Sequence, residues 1–300
     1  MARQRSLRDL SRFLDPYRIT SGKKFRLKDH DPGDTGGLGS EDKPEARRML
    51  ATGVERMAAL QEKLYASDEW GVLLVFQAMD AAGKDGTIKH VLSGVNPQGC
   101  QVHSFKQPSA EEMDHDFLWR TQRAAPERGR LGIFNRSYYE EVLVVRVHPE
   151  ILARQRVPPR LVGKKVWEER LEDIAAYERY LARNGFAILK FFLNVSRKEQ
   201  KRRFLERLDE PEKHWKFSAA DVRERSHWKD YMEAYEEAIR ATATTHAPWF
   251  VVPADEKWFT RLVVAAAIVE TLEGLDLSFP KVDDAQRKEL ALARAQLAKE

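Results

Sequence analysis

The sequence holds a single cysteine, Cys100, among 300 residues. One thiol builds no internal disulfide framework, and none of the eight histidines stands at zinc-ligand spacing from it. Long apolar runs are missing too. The best, Leu262 to Val269, falls short of the ~18 residues that a spanning helix needs. The basic opening segment MARQRSLRDLSRFLDPYR has neither an apolar core nor a small-residue cleavage site, so it does not read as a secretory signal. Charge of one sign is also lacking: 51 Lys and Arg against 47 Asp and Glu leave a formal +4. Membrane, secreted-disulfide and zinc-scaffold classes are thereby excluded, and a cytoplasmic protein is expected. What is present is a globular composition, 42% hydrophobic and 33% charged, which argues against disorder.

The charge is unevenly placed. Residues 1–30 carry nine Lys or Arg against three Asp, a local +6, which leaves residues 31–300 at about −2. A turn-rich stretch, Asp31 to Ser40, follows this basic arm. Leu50, Val54, Met57, Leu60 and Leu64 then mark a helix over Pro44 to Tyr65. Beyond it, strands and helices alternate. Trp70 to Met79 is a nearly continuous apolar run, as in a strand buried on both faces. Further strands are expected at Val102–Phe105, Leu131–Phe134, Phe186–Val195 and Trp249–Val252. Helices are expected from Ser109 to Trp119, Trp167 to Leu181, Ser196 to Leu208, along Trp228–Ile239 and from Trp258 to Leu272. Ser109 with Glu112, and Ser196 with Glu199, have capping-box spacing. No internal repeat is present. Five buried strands separated by helices imply one α/β domain, a five-stranded parallel sheet with helices on both faces. The expected boundaries are a basic arm and loop at 1–43, the domain at 44–280 and a charged, solvated helical tail at 281–300.

The chemistry concentrates in AMDAAGKDGT, where the first long strand runs into a helix. Ligands of open α/β sheets bind at carboxyl ends of strands, and backbone N–H groups at a helix N-terminus cradle anions. Gly83, Lys84, Gly86 and Thr87 are placed for such a cradle, although Ala78 stands where the P-loop pattern has its first glycine and Asp85 follows the lysine. Asp80 inside the loop would be repelled by phosphate unless Mg²⁺ joined the two. The plainer readings are a glycine turn with an exposed lysine and a turn-forming aspartate. In GRLGIFNRSYYEEVLV a short strand delivers Asn135 and Arg136 to the same edge, where a guanidinium suits phosphate; its plainer reading is a pair with Glu140 or Glu141. Ser137 lacks a G-x-S-x-G setting and is not read as a nucleophile. Arg197 to Lys229 holds eleven Lys or Arg against seven Asp or Glu. For Lys198 to Arg203 a solvated helix face explains the charges equally well. Lys213 and Lys216 flank Trp215 in EPEKHWKF, a loop of the kind that closes over phosphates, while His214 reads as incidental.

As a linked set, QAMDAAGKDGTIKHVLSGVNPQG, GRLGIFNRSYYEEVLVVRVH, ILKFFLNVSRKEQKRRFLERLDEPEKHWKFS and APWFVVPADEKWFTRL resemble the polyphosphate kinase 2 family, over roughly Lys23 to Gly274. The resemblance implies a P-loop kinase-like three-layer sandwich with a helical lid at about 205–230, moving phosphate between inorganic polyphosphate and adenine nucleotides with Mg²⁺, or Mn²⁺ as a substitute. It places the modified Walker A loop on Asp80, Ala81, Ala82, Gly83, Lys84, Asp85 and Gly86. Asp80 then becomes the metal or catalytic carboxylate, Lys84 and Arg136 the catalytic cations, and Thr87, Lys89, Asn135, Arg207, Lys213 and Lys216 phosphate- or nucleotide-binding groups. Many members carry Asp where this chain has Asn135; the Asn form is similar to the subgroup that phosphorylates both AMP and ADP. A homo-oligomer, dimer or tetramer, is expected, with no nucleic-acid or membrane partner. The alternatives are an ATP-dependent P-loop small-molecule kinase and a non-catalytic polyanion or nucleic-acid binder, though no nucleic-acid module is recognised.

Overall fold

The computed structural model describes residues 10–216 and 218–300, apart from the side chains of Lys213 and Lys216. Six strands form one sheet: β1 (Arg18–Ile19), β2 (Gly71–Ala78), β3 (Cys100–Ser104), β4 (Leu131–Asn135), β5 (Phe186–Asn194) and β6 (Trp249–Pro253), in the order β1-β6-β5-β2-β4-β3. Strands β2 to β6 are parallel. β2, β4, β5 and β6 are mostly buried, as their apolar runs predict. β3, with the sequence CQVHS, is a part-exposed edge strand, which corrects the expectation of five buried strands. The sixth strand departs from the expected five. Two residues of the basic arm, Arg18 and Ile19, pair antiparallel with Phe250 and Trp249. Tyr17 anchors them: its carbonyl accepts from Val251 N at 2.8 Å and its hydroxyl donates to Asp34 at 2.8 Å. The arm is therefore built into the sheet edge from Leu10 onward.

One helical layer comprises Lys43–Ser67, Lys84–Val91 and Lys257–Gly274. The apolar run that was too short for a membrane is the centre of the last of these, with Leu262 to Val269 all buried. The opposite layer holds Val166–Arg183 and Trp228–Thr242. Among the described residues no helix is long and apolar enough to cross a membrane.

Two local expectations are corrected. The capping box at Ser109 and Glu112 is present, but its helix is only Ala110–Met113. Asp116 then accepts from Leu118 N and starts a separate turn, Trp119–Arg123. At Ser196 the hydroxyl does cap Glu199 N, yet the Glu199 carboxylate turns to Arg202 and Arg203 instead of closing the box. The tail carries an exposed helix, Asp284–Leu297, opened by a box at Asp283 and Gln286.

Candidate functional site

The register sets the site. Ala78 at the end of β2 stands level with Leu193 of β5, which is level with Val252 of β6; on the other side Phe76 is level with Asn135 of β4. The carboxyl ends of β2 to β6 therefore open onto one edge, and the turn after β2 lies at its centre. This turn rises through Ala81 at φ +60° and Gly83 at φ +106° into the Lys84–Val91 helix. Left-handed backbone costs glycine nothing but strains alanine, and such strain gathers at functional sites. No side chain caps the helix, which leaves its first N–H groups for a ligand. A Cβ built on Gly86 would meet nothing within 4 Å, so the backbone there is open to close approach.

The loop carbonyls face the other way. Gln200 donates to Asp80 O at 2.9 Å, and Arg203 Nη1 donates to Ala81 O at 3.1 Å and Ala82 O at 2.7 Å. The same guanidinium reaches Ala254 O and Asp255 O through Nη2 and Glu199 through Nε. Arg203 is buried, which corrects the solvated-face reading for that residue. It shapes the loop by gathering carbonyls on one side, so that N–H groups point to the other.

Lys84 Nζ folds back to donate to Ala78 O at 2.9 Å. Burial lowers its pKa, as does the charge of Arg136, against the opposing pull of Asp80, Glu140 and Asp85. Arg136, also left-handed at φ +64°, continues the β4 ladder by donating its N–H to Phe76 O at 3.0 Å. Its guanidinium lies 3.3 Å from Asp80 Oδ1 and 3.8 Å from Glu140 Oε2, and Glu140 most strongly raises its pKa. The Glu140 part of the plainer reading of Arg136 is thus present, alongside a contact with the phosphate loop. Glu141 goes elsewhere, to Arg120 at 3.5 Å and Arg170 at 3.4 Å.

Asn135 donates to Asp85 at 2.6 Å, tying β4 to the first turn of the Lys84–Val91 helix. Thr87 is buried and Lys89 exposed on that helix. Ser137 is buried; in the orientation that satisfies the Gln77 amide, Gln77 accepts from Ser137 and donates to Glu140 at 2.9 Å. Behind it Tyr138 and Tyr139 both donate to Glu178, at 2.9 and 2.8 Å, and Glu178 also holds Lys190 at 2.5 Å. Among the described residues no group of three or more His, Cys, Asp or Glu is placed to hold a metal ion.

A family model for polyphosphate kinase 2 matches residues 40–280. The chain belongs to the polyphosphate kinase 2 family. It is 54% identical over 284 residues to an ADP-polyphosphate phosphotransferase of Rhodopseudomonas palustris, covering 92% of this chain and 98% of the relative. It is 47% identical over 275 residues to an AMP/ADP-polyphosphate phosphotransferase of Meiothermus ruber, with the same coverage. Polyphosphate kinase 2 from Arthrobacter aurescens TC1 superposes with a TM-score of 0.82 at 41% identity, over 92% of this chain and 95% of that one.

In this polyphosphate kinase 2 chain the segment expected as a lid is helical over Arg197–Asp209, Pro211–Lys216 and Ala219–Glu224. The Arg207 guanidinium rests over the Phe204 ring, 5.4 Å from its centroid. His214 bonds Leu208 O at 2.9 Å. Asp221, which the motif reading did not single out, lies near enough for Asp80 to raise its pKa, after burial, while Arg207 and Arg136 oppose. Lys213 and Lys216 fall outside the described side chains. Sequence reasoning also missed Arg203, Gln200 and Glu178. A lysine inside the apolar strand FAILKFFLN was a signal of the last, because a buried ammonium requires a carboxylate.

Proposed function

We propose that this protein is a polyphosphate-dependent nucleotide kinase that carries the terminal phosphoryl group of inorganic polyphosphate to AMP or ADP. The observation that carries this reading is the convergence of Lys84, Arg136 and Asp80 on an uncapped helix N-terminus, in a chain of the polyphosphate kinase 2 family. The neighbours named AMP/ADP- and ADP-polyphosphate phosphotransferase support both acceptors.

The attacking phosphate oxygen of AMP or ADP is already an anion, so the transfer needs no general base, and catalysis reduces to positioning and charge neutralisation. The N–H groups opening the Lys84–Val91 helix hold phosphate oxygens of the donor. Lys84 leaves the Ala78 carbonyl for the phosphate, which restores the charge that burial disfavours. Arg136, braced by Asp80 and Glu140, spans the transferred group. Asp80 is the carboxylate that would hold a divalent cation such as Mg²⁺, a metal suited to one or two carboxylates together with substrate phosphates. When bound, Mg²⁺ neutralises charge on the phosphates; Mn²⁺ would serve the same way. A phosphoanhydride is broken and one is formed, so the reaction runs in both directions.

The test incubates AMP or ADP with long-chain polyphosphate and Mg²⁺ and measures ADP and ATP. Both products are expected. Turnover with ATP and a metabolite, but none with polyphosphate, would overturn the reading in favour of an ATP-dependent kinase.

A further inference from the structure

The stretch of chain that leaves β4 after Arg136 runs on to His148, at the junction of two short helices, Val144–Val147 and Pro149–Arg154. The imidazole faces the segment expected to close over phosphates. Its Nε2 lies 2.8 Å from Glu224 Oε2, and a carboxylate only accepts, so the ring donates there. Glu224 ends the Ala219–Glu224 helix, and Tyr231, on the Trp228–Thr242 helix that follows, donates to the same oxygen at 2.7 Å. The His227 ring meets the His148 ring edge-on, with centroids 5.0 Å apart, and Glu150 lies 3.5 Å from His148 Nδ1. Burial would raise the Glu224 carboxyl, yet the hydrogen bonds from His148 and Tyr231 and the two nearby imidazoles bring it below its ordinary value.

The same end of the segment is tied to the phosphate loop by a second route. Arg225 donates to Gln200 Oε1 and to Arg197 O, the latter at 3.2 Å, while the Gln200 amide donates to Asp80 O at 2.9 Å. Glu224 and Arg225, neighbours in sequence, thus bind different partners. One holds the chain beyond Arg136, and the other holds the helix that carries Arg203. Asp221 stands one turn before Glu224 on the same helix face, and burial and then the charge of Asp80 raise its pKa. Docking Glu224 therefore sets how closely this helix approaches the phosphate loop.

We propose that His148 is a positioning residue for the phosphoryl transfer: by holding Glu224 it docks the closing end of the lid to the chain that presents Arg136. The inference rests on residues 205–230 acting as a lid in a polyphosphate-dependent kinase. A helix of six residues does not hold its own place, so contacts at its ends decide whether it lies closed over phosphate or open. Without the His148 contact the balance shifts towards open, and bound phosphates must then supply more of the closure.

The experiment compares the full chain with His148→Ala and with His148→Gln, the second of which keeps an amide N–H for Glu224. With nucleotide saturating, kcat and KM are measured for polyphosphate. For His148→Ala the polyphosphate KM is expected to rise about tenfold, as for loss of one hydrogen bond to a charged group, with kcat within about threefold. His148→Gln is expected to recover most of that rise. A merely structural role would lower the folded fraction, and with it kcat, and leave KM alone. A KM for His148→Ala within about twofold of the unaltered value overturns the assignment whatever kcat does. A glutamine variant no better than the alanine one overturns it too. Should His148→Ala not fold, Glu224→Ala takes its place under the same criterion. Should the unaltered protein turn over no polyphosphate, the functional reading fails by itself. Tryptic cleavage after the exposed Arg223 then decides whether His148 docks the segment: faster nicking of His148→Ala supports it, and equal rates refute it.

Discussion

Arg203 Nη1 stands 2.7 Å from the Ala82 carbonyl while Nη2 of the same guanidinium bonds the Asp255 carbonyl at 3.0 Å. The turn after β2 is thereby fastened to the end of β6 across the intervening β5. A buried arginine with every acceptor in reach fixes which face of the loop presents carbonyls, and hence which face presents donors.

Arg203→Ala leaves four carbonyls without this donor in a buried site and Glu199 with Arg202 alone, and is expected to cost about 3–5 kcal/mol of stability. Arg203→Lys keeps the charge but cannot fork across two loops. For that variant we expect a folded protein whose kcat falls about tenfold or more, since misplacing the loop misplaces every donor on it. Denaturant unfolding and initial rates separate the two effects. A lysine variant with unaltered kcat would show that Arg203 only holds the fold.

Lys84 makes a pH prediction. Its folded pKa is lowered, so the ammonium loses its proton at a lower pH than an ordinary lysine, and the charged form is the one that binds phosphate. The kcat/KM profile, which reports the free enzyme, should therefore decline as pH rises through a value below the ordinary ~10.4. Bound phosphate favours the charged amine, so the decline in kcat should lie at higher pH. Lys84→Ala should lower kcat by about 10²–10³-fold, as for loss of one oxyanion donor. Coincident profiles would remove Lys84 from the phosphate contacts.

Glu140 is shifted in the opposite direction from Lys84, and its effect falls on stability. Burial raises its carboxyl pKa, and Arg136 and Lys84 only partly reverse this. A raised carboxyl contributes stability that is full below the unfolded value of ~4.3 and is lost as pH rises through the folded value. Glu140→Gln, which can still accept from Gln77, escapes that loss. The variant should gain stability relative to the unaltered protein as pH rises from 4 to 8, with the two converging at acid pH. Thermal melts across that range test it, and a constant difference would mean that Glu140 titrates normally.

The four buried parallel strands and the phosphate loop were legible because both rest on local pattern: a continuous apolar run, then glycines, then a helix start. Arg136 and Asn135 were legible for the same reason, as the residues ending a short apolar strand. Arg203 was not. In the run RKEQKRRFLER nothing local separates the buried arginine from the exposed Arg202 beside it, and only the folded neighbours Ala81 and Ala254 supply the distinction. Strand β1 was hidden because two residues carry no periodicity. The early end of the Ser109 helix was hidden because Asp116 competes locally for the chain, bonding Leu118 N in a turn.

Glu178 was half visible. It lies on the buried stripe of the Val166–Arg183 helix with Leu171, Ile174 and Leu181, where a carboxylate is out of place. In the fold it faces Lys190, fully buried at the centre of β5, whose Nζ also donates to Thr242 O at 2.8 Å. Tyr138 and Tyr139, two and three residues after Arg136, hang from the same carboxylate. Removing one charge strands the other, so Glu178→Gln or Lys190→Met alone should destabilise by about 3–5 kcal/mol. The double variant Glu178→Gln, Lys190→Met removes both charges and retains an amide to accept from the tyrosines. It should therefore recover most of that loss, a coupling energy of several kcal/mol in a double-mutant cycle. Denaturant midpoints of the four proteins provide the measurement. If the losses simply add, the pair is not acting as one buried unit, and Arg136 takes its position from the β4 ladder alone.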